Sequence, residues 1–80
     1  MAGPAGVGIA GAGARLDGAV VFDGARIEAG ATVERSIIGF GARIGHRALI
    51  RDGVIGDGAD IGARCELLRG ARVWPGITIR

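Results

Sequence analysis

The chain predicts an all-β fold: a single-stranded parallel β-helix of hexapeptide repeats, in about four triangular coils of ~17 residues. Three observations carry this. Aliphatic residues recur at a step of six, as Val21, Ile27, Val33, Ile38, Ile44, Ile50, Ile55, Ile61, Leu67, Val73 and Ile79, with occasional steps of five. A small residue stands two positions before each of them, from Ala19 to Ala71, with Ile77 the one large exception. Glycine fills 17 positions and clusters between the aliphatics, with no 3.6-residue period that a helix would need.

The short steps, Leu16–Val21, Val33–Ile38 and Ile50–Ile55, recur every 17 residues. Aligned on them, coils begin at Ala14, Ala31, Ala48 and Cys65, and the last coil has lost the five-residue step. Each coil holds three short strands. Residues two apart in a strand face the same way, so the small residue and the aliphatic point inward and the residue between them points out. Glycines such as Gly24, Gly30, Gly39, Gly41, Gly45, Gly56, Gly58 and Gly62 fall at the corners, where a positive φ is expected. The β-helix domain spans 14–80. Residues 1–13 are a poorly registered N-terminal segment or a frayed first coil, because Ala10 falls where an aliphatic belongs and Ile9 is one place off.

Composition narrows the function. The net charge is +2, and ten arginines are interleaved with eight acids along the chain. Nucleic-acid binding, which needs concentrated basic charge, is not expected. No apolar run reaches the ~18 residues of a membrane span, and no signal-peptide pattern opens the chain. Cys65 is the single cysteine, which excludes an internal disulfide, and its place in the Ala14, Ala31, Ala48 column makes it a small core residue. A cytoplasmic location is the expectation.

Chemical motifs are sparse. Gly6–Gly11 matches G-x-G-x-x-G, but no strand precedes it and no helix follows. His46 is the one histidine, and it stands at a corner. It supports an alternative function: a minimal trimeric hexapeptide-repeat acyltransferase using acetyl-CoA, with His46 as general base. Against this, such enzymes usually carry a closing loop, and none interrupts these coils. A solvated corner histidine is the simpler account. The acids read as exposed partners of arginine. No catalytic, cofactor-binding or metal-ligating residue is assigned otherwise, and no cofactor is expected.

One exterior feature is not needed by the coil. Val20, Ile37 and Val54 occupy the outward position of one face at 17-residue intervals, with Phe22 and Phe40 toward its far corner. The equivalent places on the other faces hold Arg15, Thr32, Leu49 and Glu66, or Arg26, Arg43 and Asp60. An apolar column on a polar prism marks a contact surface, although single exposed aliphatics are common. Val20, Phe22, Ile37, Phe40 and Val54 are therefore the expected interface.

From Ala19 onward the chain resembles the C-terminal β-helix of sugar-1-phosphate nucleotidyltransferases, and most closely the bacterial mannose-1-phosphate guanylyltransferases. The residues that carry the likeness are Ser36–Gly45 (SIIGFGARIG), Val54–Gly62 (VIGDGADIG) and Ala71–Gly76 (ARVWPG), of which Trp74-Pro75 is the most specific. The resemblance implies a left-handed coil, against the usual crossover hand. It also implies a structural and oligomerisation module without the catalytic domain in these residues. The partner is then another protomer, or a nucleotidyltransferase catalytic domain packed on the apolar face.

Overall fold

With two inward residues flanking one outward residue, each repeat can form only a very short strand before it turns. The computed structural model describes residues 9–80, where thirteen such strands, numbered in chain order, form three parallel sheets and no helix is present. The first face stacks β2 (Arg15–Asp17), β5 (Thr32–Glu34), β8 (Leu49–Arg51) and β11 (Glu66–Leu67). The second stacks β3 (Val20–Val21), β6 (Ile37–Ile38), β9 (Val54–Ile55) and β12 (Arg72–Val73). The third stacks β1 (Ile9–Ala10), β4 (Arg26–Ile27), β7 (Arg43–Ile44), β10 (Asp60–Ile61) and β13 (Thr78–Ile79).

Register follows the step lengths. Val21 pairs with Ile38 and Ile38 with Ile55, but Ile55 pairs with Val73 and Ile61 with Ile79. The last coil is longer because a six-residue step replaces the five-residue one after Leu67. At the start of the described chain, Ile9 pairs with Arg26 and Ala10 with Ile27, so one further strand sits below the first full coil. Residues 1–8, which include half of the Gly6–Gly11 string, lie outside the described residues, and the strand that ends at Ala10 leads into β2.

The interior is a single column of aliphatics from each face. Val33, Ile38, Ile44, Ile50 and Ile61 are completely enclosed, each contributing about 1.5–3 kcal/mol of burial. Leu16, Leu67 and Ile79 are only partly buried, because they lack a neighbouring coil on one side. Ala25, Ala31, Ala42, Ala48 and Ala59 fill the narrow places beside the corners. Ile77, too large for that place, is left 43% exposed.

The corner glycines answer two different demands. Gly24, Gly41, Gly58 and Gly76 stack at one corner with φ between 65° and 75°, as expected for a left-handed turn. Gly39, Gly45 and Gly56 do not have positive φ. A Cβ at Gly45 would lie 2.5 Å from the Ala63 amide nitrogen, and one at Gly56 2.5 Å from that of Pro75. These glycines are needed for the close approach of the next coil, which corrects the single conformational explanation. Conversely, Arg35, Arg47, Asp52, Arg64 and Arg69 adopt positive φ without being glycine. That costs roughly 1–2 kcal/mol per residue. It is offset where the amide reaches the coil below: Arg35 N donates to Asp17 O (2.7 Å), Arg47 N to Ala29 O (3.1 Å) and Arg64 N to His46 O (2.9 Å).

Candidate interaction face

Because Val21, Ile38 and Ile55 point inward, their neighbours Val20, Ile37 and Val54 must point out, and strand pairing holds them in one column. They are 42–45% exposed, a large fraction for aliphatics held in a sheet. Phe22 and Phe40, also exposed, stack on each other with ring centroids 4.8 Å apart and planes at 23°. The next residue of the column is Arg72, paired with Val54, so the stripe ends in a cation.

Trp74 belongs to the same face and is 71% exposed. It stands two residues past Arg72, as Phe22 stands two past Val20. The two positions between them in the stack are Gly39 and Gly56. With no side chains there, a shallow recess of about 360 Å³ opens between the aromatic residues, with Ile37 and Val54 on its wall. In the sequence alone, Trp74 carries only the family likeness. Placing it on the face required the 18-residue spacing of the last coil, which moves it out of the 17-residue alignment.

Charged residues border the stripe. On one side Arg35 grips Asp52 through two bonds, Nε to Oδ1 at 2.8 Å and Nη2 to Oδ2 at 3.2 Å. The hydrogen bond and the charge of Asp52 raise the Arg35 pKa, and the hydrogen bond from Arg35 lowers that of Asp52. On the other side Asp57 accepts the Phe40 amide at 2.9 Å. Arg26, Arg43 and Asp60, outward on the third face, are charged instead, and Arg43 reaches Glu28 (3.4 Å) and Asp60 (4.0 Å).

His46 is exposed at the corner after β7, beside a recess of about 440 Å³ that Glu28, Arg43, Asp60 and Arg80 also line. Both carboxylates there are engaged by Arg43, which leaves no acid dedicated to orienting the imidazole. Cys65 is partly buried against the core, with Sγ 4.0 Å from the Ile79 carbonyl. Among the described residues no cluster of three or more His, Cys, Asp or Glu could hold a metal, and no helix is long and apolar enough to cross a membrane.

The family model described as the GMPPB C-terminal domain matches residues 5–80. Over 67 residues, the chain is 84% identical to a protein of Mycobacterium tuberculosis (strain ATCC 25618 / H37Rv) described as mannose-1-phosphate guanylyltransferase. The match takes in 84% of this chain but 19% of that relative, so the chain spans about a fifth of its length. On this evidence the chain belongs to the GMPPB C-terminal domain family and is homologous to a part of a mannose-1-phosphate guanylyltransferase.

Proposed function

We propose that this β-helix is the non-catalytic module of a mannose-1-phosphate guanylyltransferase-like enzyme of the cytoplasm, and that its work is association through the second face. The partner is another protomer or a nucleotidyltransferase catalytic domain. The carrying observation is the in-register column Val20, Ile37 and Val54 with the aromatic residues beside it, on a prism whose other faces are predominantly polar. Core packing does not use these side chains, yet each keeps apolar area in water that a partner would cover. The fold gives no comparable support to acetyl transfer at His46.

The test is the double substitution Ile37→Asp with Val54→Asp. Both side chains point outward, so the coil should keep its circular dichroism and its cooperative unfolding. Sedimentation velocity should show association of the parent chain weakened at least a hundredfold, because a buried interface would have to accept two unpaired carboxylates. An unchanged sedimentation profile would remove the second face from contact between protomers and leave the catalytic domain as its partner.

A further inference from the structure

The second and third faces carry recesses of the same build. On the second, Gly39 and Gly56 leave room between Phe22 and Trp74. On the third, Gly45 and Gly62 leave room between Glu28 and Arg80, in the recess of about 440 Å³. Register sets that order, because Ile27, Ile44, Ile61 and Ile79 pair in turn and these four residues follow them. One recess is aromatic and the other is charged.

Three observations at the charged recess point to an anion. The first is an uncapped amide. At the corner after β6, the Phe40 amide donates to Asp57 Oδ1, from the coil above, at 2.9 Å. His46 stands at the equivalent corner after β7, but the residue above it is Ala63, which has no carboxylate to offer. Among the described residues the His46 amide has no protein acceptor. The second is arginine in a place made for glycine. The next corner position holds Gly13 and Gly30 in the lower levels, with φ of 75° and 74°, then Arg47 and Arg64, with φ of 60° and 63°. Glycine meets this backbone without a Cβ clash, so arginine stands there against a conformational preference, and strain of that kind gathers at binding sites. The two arginines start from levels about 4.8 Å apart, and their like charges are relieved by an anion between them. The third is charge balance. Arg43 lies between Glu28 and Asp60, whereas Arg47, Arg64 and Arg80 take part in no ion pair among the described residues. Four arginines thus stand against two carboxylates, which matches the +2 that the whole chain carries. Glu66, the next acid along the chain, stands outward on the first face in β11.

We propose that this recess and its basic corner bind a small phosphate ester that carries hydroxyl groups. One phosphate oxygen takes the His46 amide, as Asp57 takes that of Phe40. The other oxygens face the guanidinium groups of Arg80, which lines the recess, and of Arg47 and Arg64 at its corner; such groups match phosphate with paired N–H donors. The rest of the ligand lies over Gly45 and Gly62, where no side chain obstructs it. Glu28 and Asp60, which line the same recess, accept from its hydroxyls. The volume falls within the range of small-molecule sites. Nothing in this site draws on the apolar column of the second face.

The test is an NMR titration of the isotope-labelled 80-residue chain at low ionic strength, with inorganic phosphate, glycerol phosphate and glycerol as probes. The amides of His46, Ala63 and Arg64 should shift and saturate with both phosphates, while those of Val20, Ile37 and Val54 stay in place. Glycerol phosphate should bind several-fold tighter than phosphate, and glycerol alone should shift nothing. Two variants carry the argument. Arg47→Gly with Arg64→Gly gives the upper levels the residue of the lower ones. It should keep the thermal midpoint of the parent, because glycine suits the left-handed backbone, yet weaken phosphate binding by about tenfold or more. Ala63→Asp supplies the carboxylate that Asp57 supplies at the other corner, and should weaken binding comparably by occupying the His46 amide. If the glycine pair fails to fold, Ala63→Asp decides alone. A phosphate response that is unchanged in a folded variant, or reproduced by sodium chloride at equal ionic strength, would overturn the site. Equal affinity for phosphate and its glycerol ester would overturn the assignment of hydroxyls to Glu28 and Asp60.

Discussion

A single methyl group separates the two kinds of corner glycine. At Gly41 an added Cβ meets nothing within 4 Å, but φ is +65°. Gly41→Ala should therefore cost only the left-handed penalty, about 1–2 kcal/mol. At Gly56 the backbone is ordinary, but the Cβ would lie 2.5 Å from the Pro75 nitrogen and 2.8 Å from the Trp74 carbonyl carbon. Gly56→Ala must push two coils apart, and should cost more than Gly41→Ala, about 3 kcal/mol or above. Chemical denaturation of the two variants checks the ranking, and equal losses would mean that conformation alone accounts for both glycines. The spacing of the sequence showed that these residues stand at corners. It did not separate the two reasons, because whether a Cβ collides depends on the height of the next coil. The arginines at positive φ were hidden for a related cause: Arg35, Arg47 and Arg64 follow no turn preference, and it is the hydrogen bond that each backbone amide donates to the preceding coil that holds them there.

Among the strands, the inward and outward pattern was legible because alternation leaves little freedom in segments of two or three residues. The column from Val33 to Ile50 and its counterparts follow directly from that period. Two details depended on chemistry that the period does not contain. One is the last coil, where a missing short step changes the register by one and sets Trp74 on the apolar face. The other is Ser36, which replaces alanine at a buried place on the second face. Its hydroxyl donates to the Glu34 carbonyl at 2.7 Å and accepts the Gly53 amide at 3.0 Å, so it ties β6 to the coil above at a corner of five residues. Ser36→Ala should leave the Gly53 amide buried without a partner and lower stability by about 1–3 kcal/mol. Cys65→Ala, in a column otherwise made of alanines, should change stability by less than that. A loss at Cys65 equal to that at Ser36 would show that side-chain volume, not the hydroxyl bridge, governs these places.

For the molecule as a whole, a prism one side chain thick has little reserve. Its interior is continuous only in the middle coils, and Leu16, Leu67 and Ile79 near the ends remain partly open to solvent. A chain of 80 residues buries a limited share of its surface on folding, and self-association is one way to add to it. Covering Val20, Ile37 and Val54 would make folding and assembly one linked equilibrium, because unfolded chains have no such column to present. The thermal midpoint should then rise with protein concentration, by a few degrees for each tenfold increase above the dissociation constant. The Ile37→Asp with Val54→Asp variant should unfold at a lower temperature, with a midpoint independent of concentration. The comparison separates assembly from intrinsic stability, since two exposed substitutions outside the core should change the monomer little. A parent chain whose midpoint does not move over the same range would show that the coil stands without the second face being covered. The apolar column would then have to be explained by a partner of different sequence.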